Sequence, residues 1–289
     1  MKTMSIVAAF ATVCVPTFAS AEISGSIELG YSVASDNVNA DNVTSPSIDT
    51  TLGYGNLTGI QLELDVSTMR ANGLNTNRNS HSAAVDLGYA FDNGVTAGVF
   101  VEDINVARSP TTFIAYSTAG AFVGYESDTY DVEAYFGQID GLANQDGNHF
   151  GVRGAYSLSE NTKISAEFAR MNLALFDQKY LGLAVSHNLT DTFGVFGAYQ
   201  KYDWATFLDV EAVSLGVSYA FANGSLASLE VARVEEGPRE TQVLSLGYSI
   251  PLGETDKSTA RVTGFASSVA DGRRGDAGKI ANDYWPINR

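Results

Sequence analysis

His81-Ser82-Ala83-Ala84-Val85-Asp86-Leu87-Gly88-Tyr89-Ala90-Phe91-Asp92-Asn93-Gly94 is the stretch that decides the fold. Ala83, Val85, Leu87, Tyr89 and Phe91 fall on one face of an extended chain, and Ser82, Ala84, Asp86 and Gly88 on the other. The stretch ends in Asp-Asn-Gly, the chemistry of a tight hairpin turn. Its core, a small residue before an aromatic ring, recurs at Leu52-Gly53-Tyr54, Val123-Gly124-Tyr125, Gly154-Ala155-Tyr156, Val217-Ser218-Tyr219 and Leu246-Gly247-Tyr248. Val185-Ser186-His187 is a degenerate copy. The rings stand at 54, 89, 125, 156, 187, 219 and 248. A repeat of that size holds two strands of about ten residues with their connections, the hairpin unit of a transmembrane β-barrel. Tyr54, Tyr89, Tyr125, Tyr156, Tyr219 and Tyr248 would then form an aromatic girdle at one membrane interface.

The alternation extends to Ile60, Leu62, Leu64 and Val66, to Leu181, Leu183 and Val185, and to Leu244, Leu246, Tyr248 and Ile250. A soluble β-sandwich would alternate in the same way, and the connections separate the two. Short turns follow the rings at 55–59, 92–94, 127–129, 159–161, 188–191, 222–224 and 251–254. Longer polar segments lie between them at 35–46, 70–80, 103–118, 140–148, 172–178, 203–208 and 235–239. Short turns at one rim and longer loops at the other are the outer-membrane pattern. The strands count to fifteen, the last over 257–270, and a barrel entered and left from one side needs an even number. Sixteen strands with a weakly patterned last one at 274–286 is the first expectation, and fourteen with a loose C-terminal segment the second.

Met1-Lys2, the apolar run Ser5 to Val15 and Ala19-Ser20-Ala21 read as a secretory signal peptide over 1–21, cleaved before Glu22. The remainder, 22–289, reads as a single barrel domain whose segment 271–289 is poorly patterned. Cleavage removes the one cysteine, Cys14, so disulfides, cysteine metal sites and cysteine nucleophiles are excluded. The chain carries 17 Lys and Arg against 33 Asp and Glu, a net charge of −16, which argues against non-specific nucleic-acid binding.

The signal segment, the Gly-Tyr hairpin repeat and the acidic, thiol-free mature chain resemble the general porins of bacterial outer membranes, those of alphaproteobacteria in particular. The resemblance runs from Glu22 to about Ala270. It implies a passive diffusion channel for small hydrophilic solutes and ions in the outer membrane of a Gram-negative bacterium. It also implies a homotrimer in contact with lipid and lipopolysaccharide, and a third external loop folded into the pore. That loop would be 103–118; the other reading is a surface loop. Porins usually close on a C-terminal aromatic, whereas this chain reads Trp285-Pro286-Ile287-Asn288-Arg289. The closing signal is then displaced to Tyr284-Trp285, or assembly is impaired, or the last strand is misread.

With the apolar face toward lipid, the polar face lines the lumen. The acids expected there are Asp49, Glu63, Asp65, Asp86, Glu102, Asp131, Glu133, Glu167 and Glu230, with Asp103 at the loop end. The bases are Arg153, Lys163 and Arg261. Such an imbalance favours cations, with a transverse field from Glu102 and Asp103 to the three bases. Small inward residues (Gly53, Ala84, Gly88, Gly98, Gly151, Gly182, Ala184, Gly216, Gly247) are expected to leave room for water. A catalytic triad needs a Ser, a His and a polar orienter together. His81, His149 and His187 have no such company in the pattern, so no enzyme is expected. No cofactor is expected either; Asp36, Asp41, Asp140, Asp146 and Asp209 offer loop oxygens of the kind Ca²⁺ takes, without a dedicated motif. The alternative function is a non-conducting barrel with a structural, adhesion or receptor role.

Overall fold

The computed structural model describes residues 22–37, 42–55, 59–73, 76–107, 113–142, 145–173, 176–204, 208–253 and Val269. The expected signal peptide lies outside them. Fourteen strands run in chain order: β1 Glu22–Asp36, β2 Val43–Gly55, β3 Gly59–Gly73, β4 Thr76–Ala90, β5 Val95–Ala107, β6 Phe113–Glu126 and β7 Tyr130–Leu142. They continue as β8 Gln145–Ser159, β9 Thr162–Leu173, β10 Phe176–Asn188, β11 Phe193–Trp204, β12 Leu208–Ala220, β13 Leu226–Glu236 and β14 Arg239–Leu252. Each pairs antiparallel with its sequence neighbours, and β1 pairs with β14 from Gly25↔Leu252 to Asp36↔Thr241, closing the barrel. The count is the second expectation, fourteen. β1 already occupies the free edge of β14, so no edge is left for strands at 257–270 or 274–286. Those segments lie outside the described residues except Val269, whose backbone is helical.

The lipid-facing surface follows from the alternation. Leu52, Leu64, Leu87, Val99, Val123, Val152, Leu183, Leu215, Val231 and Leu246 are all exposed, and all belong to one face of the barrel wall. Large apolar side chains exposed all round a closed wall require an apolar solvent. At one rim the belt ends in rings: Tyr54, Tyr89, Tyr125, Tyr156, Tyr219 and Tyr248 all point outward and are exposed. Several touch further rings, Tyr89 to Phe91 at 4.9 Å, Tyr125 to Tyr130 at 5.7 Å and Phe193 to Tyr219 at 5.0 Å. His187 stands at the same level, its Nδ1 2.8 Å from Thr162 Oγ1. The turns at this rim have the expected chemistry. Gly94 and Gly224 both adopt φ of 83°, and Asn93 and Asn223 each accept a hydrogen bond on Oδ1 from the backbone two residues on.

The other rim differs from expectation. Most of the segments read as long loops are paired strand, because polar residues beyond the membrane extend the ladders outward. Asn72↔Asn77 and Gly73↔Thr76 pair where a loop over 70–80 was expected. Val106↔Ile114 and Ala107↔Phe113 pair within the expected pore loop 103–118, which leaves only residues 108–112 for the connection. Arg108 and Pro110 lie outside the described residues. On β9 to β14 the outer face of these extensions carries ion pairs: Arg170 with Asp177, Lys201 with Glu211, and Arg233 with both Glu235 and Glu240. An apolar belt bounded by rings at one rim and by charge at the other fixes how the barrel sits in a bilayer.

Candidate functional site: the inner wall

The register places the inward residues. Glu28↔Asp49, Glu63↔Asp86 and Ala84↔Glu102 are neighbouring inward pairs on β1 to β5. Asp65 lies beside Thr51, whose hydroxyl donates to its Oδ1. Across the barrel, Arg153 on β8 stands between Glu133 on β7 and Glu167 on β9. Its Nε is 3.0 Å from Glu133 Oε1, and Tyr135 Oη donates to Glu167 Oε1 at 2.9 Å. Lys163 Nζ is 3.9 Å from Asp131 Oδ2. Glu230 also faces inward and is deeply buried. Glu28, Glu126, Glu236 and Arg239 also belong to this face and were missed in sequence. Glu28 sits in a stretch where Ser24, Ser26 and Gly30 dilute the polar signal, and Glu236 and Arg239 flank the tight turn at Gly237 and Pro238.

Two expectations about the field change. Asp103 shares the outward face of β5 with Val99 and Val101 and is exposed, because the strand continues through it to Ala107. Arg261 lies outside the described residues. Arg153 and Lys163 are paired with acids on their own wall and Arg239 is in register with Glu236, so the transverse field expected from the sequence has no strong basic pole among the described residues. Glu63 feels the charge of Arg153 from across the barrel, and the acids on β1 to β4 stand together. They form an acidic strip toward the ring-bearing rim, where Glu63 is exposed and Glu28, Asp49, Asp65 and Asp86 are half-buried.

The expected room for water changes as well. Many inward glycines are seats for rings, on an adjacent strand at Gly98, Gly151 and Gly216 and on the same strand at Gly182. A Cβ on Gly98 would stand 2.5 Å from Phe122, on Gly151 2.2 Å from Tyr135 Oη, on Gly182 2.5 Å from Tyr180 Oη and on Gly216 2.2 Å from Phe196. His149, read as a loop-edge residue, is buried on the inner face of β8 between Phe100 and Tyr135, with ring centroids 5.7 and 5.5 Å away. Toward the rim opposite the tyrosine rings the inner wall is a collar of Ala34, Val43, Ile104, Ile139, Met171, Val210, Val234 and Val243, all buried. The alternation rule hides such residues, since their polar partners lie on the membrane-distal outer face. Among the described residues no group of three His, Cys, Asp or Glu converges as a metal site; Asp41 and the side chain of Asp36 lie outside them.

The sequence matches no protein-family model and no curated protein. Solved structures share the fold. A porin crystal structure matches at 14% identity over 81% of this chain and 100% of its own, with a TM-score of 0.50. An anion-selective porin from Comamonas acidovorans matches at 10% identity over 81% and 99%, with a TM-score of 0.54. At those identities the likeness is one of architecture. The chain has the closed, membrane-spanning barrel fold of the bacterial porins.

Proposed function

We propose that the protein is an outer-membrane channel of the porin type that passes small hydrophilic solutes and ions and prefers cations. The observation that carries this reading is the acidic strip of Glu28, Asp49, Glu63, Asp65 and Asp86 on the accessible inner wall, opposite bases already paired with Glu133 and Asp131. Fixed carboxylates beside a water-filled path raise the local cation concentration and repel anions. The selectivity is thus opposite to that named for the Comamonas protein. A homotrimer in contact with lipopolysaccharide accords with the porin fold and belongs to the same proposal.

A second reading has its own support. The apolar collar is unlike the polar interior of an open porin and favours a barrel that conducts poorly or not at all. Planar-bilayer recording of refolded mature protein under a KCl gradient separates the two. Conductance steps with a reversal potential favouring K⁺ support the channel. Insertion without conductance, verified by heat-modifiable migration on a gel, sinks it and puts the closed barrel first.

A further inference from the structure

At the outer rim, opposite the tyrosine rings, the outward charges differ from sector to sector. On β9 to β13 the bases are answered within the wall: Arg170 by Asp177, Lys201 by Glu211, and Arg233 by Glu235 and Glu240, while Lys179 has Asp203 in register beside it. On β3 to β5 the charges stand apart. Arg70 is exposed and in register with Asn79, and Asp103 is exposed between Ala83 and Ser117. Neither makes an ion pair among the described residues. One positive and one negative charge are thus left on the outside of β3 and β5, with β4 between them.

The two charges stand at nearly the same height. Asp103 is in register with Ala83, and Ala83 with Val66. The register climbs toward the outer rim around the wall: Tyr54 pairs with Leu62 and Leu62 with Leu87, which lies beyond the girdle residue Tyr89. That climb is about one residue per strand, so Arg70 lies about two residues, or about 5 Å, further out than Asp103. Below them the lipid belt is flat. On β4 to β6 Ala83, Ala97, Ala119 and Ala121 stand among valines, with Leu87 the larger exception, whereas β8 and β9 carry Phe150, Ile164 and Phe168. In hydrocarbon, apolar area alone drives no association, and small side chains let two protein walls approach closely.

We propose that the outward face of β3 to β5 is the contact with a second copy of this chain, with β4 beside the symmetry axis and Arg70 of one protomer against the partner's Asp103. Two copies standing the same way up in a membrane and meeting at β4 set β3 of one against β5 of the other. A two-fold pair then holds the Arg70 to Asp103 contact twice, and a three-fold ring holds it once at each contact. The charges left over on one wall are complementary to those of an identical wall. This gives the homo-oligomer its face; it rests on that assembly and on the membrane barrel, not on conduction.

The test uses the mature chain, which holds no thiol because Cys14 precedes Glu22. In vesicles, Asn79→Cys, exposed on the outer face of β4, should be linked to a second copy by a short bis-maleimide and run at doubled mass. Gln242→Cys, equally exposed at the same rim but on β14, should not. Arg70→Asp and Asp103→Arg should each weaken self-association in sedimentation at 0.1 M salt. The loss is about 2–25-fold in a two-fold pair, from two exposed ion pairs of about 1.4–5-fold each. The two changes combined should restore the parent value. A folded protein that stays monomeric overturns both the assembly and its face. Linking from Gln242→Cys alone, equal linking from both cysteines, or a combined variant no better than either single keeps the assembly and overturns the face. If a cysteine variant fails to fold, the charge exchange decides alone. Linked copies that are silent in bilayer recording uphold the face and refute the channel.

Discussion

Replacing Arg153 by Gln offers a quantitative test of the acidic inner wall. Arg153 sits 3.0 Å from Glu133 and is in register with Glu167, so its loss exposes one uncompensated negative charge to the passage. A wall charge about 8 Å from the axis in water contributes about 0.5 kcal/mol unscreened. At 0.1 M salt, with a Debye length of about 10 Å, about 0.2 kcal/mol survives. That raises the local K⁺ concentration about 1.5-fold and lowers Cl⁻ by the same factor, so the permeability ratio shifts about two-fold toward K⁺. At 1 M, where the Debye length is about 3 Å, the shift falls to about 10%.

The assay is the reversal potential of Arg153→Gln against the parent at both salt concentrations, with Glu133→Gln as the opposite perturbation. Glu133→Gln leaves the guanidinium with Glu167 and Glu63 and should move selectivity toward Cl⁻. Both side chains are partly solvated, at 28% and 15% exposure, so breaking the pair costs about 1–3 kcal/mol of barrel stability rather than the full cost of a buried pair. Identical reversal potentials in the three proteins at 0.1 M would falsify the electrostatic reasoning. A shift that persists undiminished at 1 M would show that the substitution acts by reshaping the passage.

Tyr135→Phe removes the hydrogen bond to the buried Glu167 carboxylate and should cost about 1.5–3 kcal/mol in urea unfolding, with the strand content unchanged by circular dichroism. Gly151→Val places its Cβ on Tyr135 Oη and should destabilise by about 1–3 kcal/mol on the same scale. Leu215→Arg, in the middle of the lipid-facing belt, should cost about 2–4 kcal/mol and slow insertion into vesicles, since the arginine must leave water for hydrocarbon. Tyr219→Ala loses its ring contacts to Phe193 at 5.0 Å and Phe221 at 4.9 Å, about 1–3 kcal/mol together, and should slow insertion without altering reversal potential.

The parts of this fold that were legible in the sequence are those that answer to a single solvent. Val85, Leu87 and Tyr89 face lipid whatever their neighbours do, so period two and the recurring ring placed the hairpins and the girdle. The loop-side rim was misread because Asn72, Asn77 and their neighbours are paired in water, where polarity signals neither a loop nor a strand. The strand count went astray for a topological reason. Segment 257–270 alternates as a strand does, but alternation says nothing about whether an edge is free, and β1 had already taken the edge of β14.

The inner wall answers to two environments, and that is why its acids were readable and its apolar residues were not. Glu63 and Asp86 stand out against Leu62 and Leu87 as polar residues on an otherwise apolar strand. Val210 and Ala212, by contrast, face inward while Asp209 and Glu211 beside them face outward, so at this end of β12 the apolar face is the lumen side and the period reads with the two sides reversed. Val269 packs against Ala184, Phe196 and Ala198, which lie on the inward faces of β10 and β11. The acidic strip marks the part of the wall left to water, and the apolar collar marks the part that is not. A channel built this way has its selectivity set by the carboxylates that face the water.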